Sequence, residues 1–160
     1  MRDESTKQAA QEYLATKLTE EQQRYEDEQN HATAVARSIV VWRRLRDSLV
    51  AQCKEWNAVV GEGTLTCKET PLGDLRVWCA ALSKQMTVHF DSRRLLITIK
   101  NAGRLENEKD VIMRIEGYRT GPALDARDAH LARNDEIVNL DMLLLGELRV
   151  LTGMKRQRNP

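Results

Sequence analysis

Chemistry in a chain of 160 residues needs nucleophiles, acids, bases or metal ligands at short spacings, so those residue types come first. The local carboxylate–imidazole group is Asp128-Ala129-His130, with Asp125 three residues earlier. Such a set could supply metal ligands or an acid–base pair. An exposed polar loop accounts for it equally well. His89 falls in a strand pattern, where cross-strand pairing with Arg76 on a solvent face is the simpler expectation. His31 belongs to an Asn30-His31 step that could hold a turn. The cysteines at 53, 67 and 79 stand singly in apolar rows. Zinc sites usually bring Cys or His in close pairs, so all three read as core residues. Gly61-Glu62-Gly63 is a turn without the Lys-Ser/Thr that completes a phosphate loop. Neither G-x-S-x-G nor H-E-x-x-H occurs. No catalytic residue, metal ligand or cofactor is assigned, and the reading leans away from an enzyme.

Basic clusters are the other residues with chemical potential. Arg43, Arg44 and Arg46 lie in a helical stretch, Arg93 and Arg94 at a hairpin, and Lys155, Arg156 and Arg158 in the tail. Phosphate binding needs several such charges on one surface. With 25 basic and 24 acidic residues the net charge is only +1, so ordinary solvated charge is the simpler explanation. These eight side chains are the contacts that a nucleic-acid reading would use.

The elements that must position these groups follow from the breakers. Residues 1–60 contain neither Gly nor Pro, which cost about 1 and 3 kcal/mol in a helix interior. Apolar residues fall at Val35, Ile39, Trp42, Leu45, Leu49, Cys53, Trp56 and Val60, in steps of three and four. That spacing predicts one buried helical face, stopped by Gly61. Upstream, Leu14, Leu18 and Tyr25 mark a thinner stripe. Ser5 with Gln8 and Thr19 with Gln22 match the capping-box pattern for helix starts. A helix from 20 to 59 would extend roughly 60 Å, against a radius of gyration near 13 Å for a compact body of about 100 residues. It must fold back as a hairpin, fray, or pack on another chain, and partner packing is favoured.

After Gly61 the pattern alternates. Strands are placed at 64–68, 74–80, 85–91, 94–100 and 111–118. Leu75, Val77 and Cys79 point one way, as do Met86, Val88 and Phe90, and Leu95, Ile97 and Ile99. A meander aligns these rows if Val77 faces Val88 and Val88 faces Ile97. The opposite face is mainly polar, with Trp78 as its exception. Residues 101–110 read as a mobile surface loop, and within 119–133 a Gly121-Pro122 break precedes one short helix over Ala123–Ala132. A last helix begins near Asn134 or Asp135 and ends by Gly153, its face carrying Ile137, Leu140, Leu144, Leu148 and Leu151.

The expected architecture is therefore α+β: a long N-terminal helical segment over 1–60, then an antiparallel four- to five-stranded β-meander with a C-terminal helix on one face over 61–160. The composition, 41% hydrophobic and 31% charged, can support a core. No apolar run approaches a membrane span, and the polar start Met1–Thr6 lacks a signal-peptide core. The chain is read as cytoplasmic, without a membrane partner. Residues 1–34 hold 4 basic and 8 acidic residues, whereas 35–60 hold 5 and 2. Antiparallel helices could match those opposite charges.

The favoured function is a non-catalytic protein-interaction module that self-associates through its N-terminal helices. Its partners would be itself and an unidentified protein, and its contacts Val35, Ile39, Trp42, Leu49, Trp56 and Trp78. The alternatives are a nucleic-acid-binding accessory protein and a small enzyme using His89 or the Asp125/Asp128/His130 group.

Overall fold

A computed structural model describes residues 2–154 apart from Leu124. It has an α+β architecture: a long N-terminal helix, an antiparallel seven-stranded sheet and a C-terminal helix. Helix α1 runs without interruption over Arg2–Val60, 59 residues, or about 88 Å. Asn30-His31 makes no break, and the Thr19 capping box is not used. Thr19 Oγ1 instead donates to the Ala15 carbonyl at 3.0 Å, inside the helix. Gly61, at φ 138°, ends α1 as expected.

Seven strands follow in simple meander order: β1 (Leu65–Glu69), β2 (Leu75–Cys79), β3 (Lys84–Asp91), β4 (Leu96–Asn101), β5 (Val111–Arg119), β6 (Arg127–Arg133) and β7 (Glu136–Ile137). That is seven strands rather than the expected four or five. The helix expected over Ala123–Ala132 is not formed: Arg127–Arg133 pairs along β5 from Arg114↔Ala132 to Arg119↔Arg127. The last helix does not begin near Asn134 or Asp135, because both adopt left-handed backbone, at φ 52° and 63°. They form the two-residue turn of the β6–β7 hairpin, for which paired positive φ is the favoured geometry. Ile137 is consequently exposed on β7.

The alternation places each strand's faces correctly, but the register differs by two residues. Val77 lies opposite Met86, and Val88 opposite Ile99. The reason is loop length. Four residues separate Cys79 from Lys84 and Asp91 from Leu96, and the last of each loop, Ser83 or Leu95, is left-handed at φ 49° or 56°. Asp91 Oδ1 accepts from the amides of Arg93 and Arg94 and holds the second loop.

Helix α2 (Leu140–Leu151) starts at Asn139, whose side chain accepts from the Met142 amide. It ends with Gly153 N bonded to Val150 O and Met154 N to Arg149 O, a Schellman closure. Leu144, Leu148 and Leu151 are fully buried. The second half of α1 and all of α2 cover one face of the sheet, where Leu75, Val77, Met86, Val88, Ile97, Ile99 and Met113 form the core. The opposite face carries Arg76, Trp78, His89 and Ile112 and is largely open.

Of the expected surface loop 101–110, residues 105–110 are exposed, but 101–104 are pinned to α2. Arg104 donates to Glu147 at 2.8 Å, with side chains only 4% and 6% exposed. Asn101 Nδ2 donates to the other Glu147 oxygen and to its carbonyl. Gly103 lies so close to α2 that a Cβ there would meet Val150 O at 2.2 Å. At the far end of α1, Asn57 Nδ2 donates to Leu65 O and its Oδ1 accepts from Leu65 N, at 2.8 and 2.9 Å.

Candidate interaction surface

The buried stripe of α1 is Ala34, Ser38, Val41, Trp42, Leu45, Leu49 and Cys53. It packs against the chain's own sheet, and Trp42 stacks on Phe90 with ring centroids 5.5 Å apart. Trp42 and Leu49 therefore belong to the core, and Trp56 is half-buried against it. Val35 and Ile39, which the spacing joined to that stripe, are 53% and 49% exposed. They lie about a third of a turn away from it.

These two residues belong to another pattern. Positions 14, 18, 21, 25, 28, 32, 35 and 39 follow alternating steps of four and three, the heptad seam of paired helices. They hold Leu14, Leu18, Glu21, Tyr25, Glu28, Ala32, Val35 and Ile39. The apolar members Leu14, Leu18 and Tyr25 are 59%, 53% and 53% exposed. Every residue from Glu4 to Tyr25 is exposed, so about 33 Å of helix projects past the sheet. Extending the Leu14–Leu18–Tyr25 stripe by sevens was the available sequence signal for this surface.

Where α1 leaves the sheet, polar contacts set its direction. Arg119 and Arg127 both reach Glu26, at 2.8 and 3.0 Å, and Arg127 also donates to Asn30 Oδ1 at 2.8 Å. The Arg119 hydrogen bond, then that of Arg127, holds the Glu26 carboxyl below its ordinary value. Asp128 receives the Ala129 amide at 2.8 Å and Arg37 at 3.2 Å. That amide first, then Arg37 and Arg44, keeps Asp128 below the usual carboxylate range. Gly117 of β5 approaches α1 so closely that a Cβ would meet Asn30 O at 2.1 Å.

The catalytic candidates are dispersed among structural contacts. Asp128 is engaged by arginines, and His130 lies against the Tyr118 ring at 4.7 Å. His89 Nδ1 meets Asp74 Oδ1 at 2.6 Å, and Arg76 lies opposite Thr87 rather than opposite His89. Among the described residues no group of three or more His, Cys, Asp or Glu could hold a metal ion. An open cleft of about 440 Å³ between α1 and β5 brings His31 near Arg94 and Arg114, with Asp27 and Glu116 in the same lining. Its charges are thus of both signs.

Among the described residues, the basic clusters are interspersed with carboxylates. Arg44 and Arg46 lie near the carboxylates of Asp128 and Asp47, at 3.9 and 3.5 Å. Arg43 is exposed beside them. Arg94 lies 3.9 Å from Asp91, and its cleft neighbour His31 is roughly three helical turns from Arg43. Arg93 sits exposed in the same loop. Lys155, Arg156 and Arg158 lie outside the described residues. Trp78 is 40% exposed on the open sheet face, opposite Gln85 and Thr66.

Among the described residues no helix is long and apolar enough to cross a membrane. The fold and this surface define a class, a rod-and-sheet α+β protein. The chain matches no protein-family model, no curated protein and no solved structure.

Proposed function

We propose that this chain is a non-catalytic interaction module that self-associates through the projecting half of α1. The observation that carries the reading is the exposed apolar seam Leu14–Ile39 on a helix whose first 22 described side chains, Glu4 to Tyr25, are all exposed. Helical stability in proteins comes mostly from packing an amphipathic face. Local contacts along the segment include Gln8 to Glu12 at 3.4 Å, Gln23 to Asp27 at 2.8 Å, and Lys17 over the Tyr13 ring at 5.6 Å, none of which buries the apolar stripe. A second helix along the seam would supply the missing packing. The contacts on this reading are Leu14, Leu18, Tyr25, Val35 and Ile39, with Trp42 and Leu49 holding the rod to its own sheet. The nucleic-acid reading has weaker support, because several of its arginines are engaged by carboxylates.

Light scattering over a concentration series tests the proposal. The full chain gives a mass of two or more subunits at high micromolar concentration. Leu14→Ser with Leu18→Ser, both at exposed sites, raises the dissociation constant about tenfold or more and leaves the unfolding midpoint of the monomer unchanged. A strict monomer throughout the series overturns the reading.

A further inference from the structure

Two cysteines on different elements face each other at the base of the rod. The paired Asn57–Leu65 hydrogen bonds fix α1 against β1 at that point. One turn earlier on the same side of α1 is Cys53, a step of about 6 Å. Two residues further along β1, on the same face as Leu65, is Cys67, a step of about 6.6 Å. β1 runs back alongside α1 after the Gly61 turn, so the two steps run the same way and bring the thiols together. Cys53 is buried, and Cys67 is half-buried against the core. We propose that Cys53 and Cys67 form an oxidation site, closed to a disulfide by peroxide-class oxidants, that ties α1 to the sheet's edge strand.

The roles of the two sulfurs follow from their surroundings. A hydrogen bond from the Cys53 thiol lowers Cys67 below the ordinary 9.0. The same bond, and then burial, pushes Cys53 up. Cys67 is the more accessible sulfur and the better thiolate, so it reacts first. Its sulfur attacks one peroxide oxygen, the O–O bond breaks, and the departing hydroxide leaves as water after taking a proton. Cys67 is then a sulfenic acid. The Cys53 sulfur attacks the Cys67 sulfur and gives up its proton, and the S–O oxygen leaves as a second water. Two thiols and one peroxide become one disulfide and two waters. Cys79, buried on β2 opposite Leu65, stands outside the pair.

The test exposes the native full chain to hydrogen peroxide, alkylates the remaining thiols after unfolding, and maps the peptides without reduction. The expected product is an intramolecular Cys53–Cys67 peptide with Cys79 alkylated. It should come with a rise of about 5–10 °C in the unfolding midpoint that dithiothreitol reverses. Cys67→Ser abolishes the link and leaves Cys53 reduced. That variant sits at the half-buried position, so the test survives if the buried Cys53 site tolerates no change. A link through Cys79, a link between copies, Cys67 oxidised to sulfinic acid without closure, or three unchanged thiols overturns the proposal.

Discussion

Replacing Gly117 with Ala tests how α1 is seated. The added Cβ would stand 2.1 Å from Asn30 O, 2.9 Å from Asn30 C and 3.0 Å from Thr33 Cβ, whereas ordinary contact begins near 3.4 Å. Two of those atoms are helix backbone, which cannot turn aside as a side chain can. Helix and strand must separate by about 1.3 Å, the difference between 3.4 and 2.1 Å. The Arg127 bonds to Asn30 and Glu26, at 2.8 and 3.0 Å, would stretch past useful length. Overpacking costs about 1–3 kcal/mol, and loss of a hydrogen bond adds about 1 kcal/mol. The expected loss is about 3 kcal/mol, read by urea unfolding. It should appear with faster amide exchange over residues 26–34 than over β2–β4. Gly146→Ala is the control. Gly146 lies inside α2 with open space around its added Cβ, so alanine should stabilise by about 0.5–1 kcal/mol. A Gly117→Ala protein within about 0.5 kcal/mol of the parent would refute the close approach.

Other outcomes follow from the buried and acidic contacts. Glu147→Ala strands the Arg104 guanidinium in the core and should cost about 3–5 kcal/mol in chemical unfolding. Arg104→Met together with Glu147→Leu should cost much less, and equal losses would contradict the buried pair. Glu26 and Asp128 are held below their ordinary values of 4.5 and 3.8. Their contribution is therefore fully present above those values and lost as pH falls through the lowered ones. Amide exchange over residues 26–37, corrected for its intrinsic pH dependence, should accelerate between neutral pH and about pH 3, ahead of exchange in β3. Uniform acceleration across the chain would count against these carboxylates.

What the residues revealed in advance, and what they hid, divides along physical lines. Absence of Gly and Pro through residue 60 permitted a long helix, and the three-and-four spacing from Val35 to Val60 announced its second half, with Gly61 as its end. The thinner stripe before residue 34 left open whether the helix ran on unbroken. Period-two alternation assigned strand faces because a shift of two residues leaves every face unchanged. For the same reason it could not settle register, which depended on loops closed by left-handed Ser83 and Leu95. Strand β6 was hidden because Ala129, Leu131 and Ala132 among Arg, Asp and His also suit a helix. Asn134 and Asp135 misled because the same residue types serve helix caps and hairpin turns. The Arg104–Glu147 pair joins residues 43 apart, and no local pattern announces such a contact. On α1 the two stripes overlap between 34 and 39, so a step of three or four could continue either. Val35 and Ile39 were assigned to the wrong one.

That overlap bears on how self-association would work. Ala34 and Ser38 face the sheet while Val35 and Ile39 face outward. A second helix could therefore join the outer seam without displacing the docked face. Glu21 and Glu28 then govern direction. In a parallel, in-register pair each would face its own copy across the seam. Two such charges 4 Å apart repel by about 1 kcal/mol in water and about 4 kcal/mol at an effective dielectric of 20. In an antiparallel pair centred between residues 26 and 27, Glu21 faces Ala32 and Glu28 faces Tyr25. Leu14 then faces Ile39, and Leu18 faces Val35. On the self-association reading the rods thus run antiparallel, with apolar layers at both ends of the overlap and polar layers at its centre. The polar centre keeps the pairing weak, because four of its eight layers bury no apolar pair.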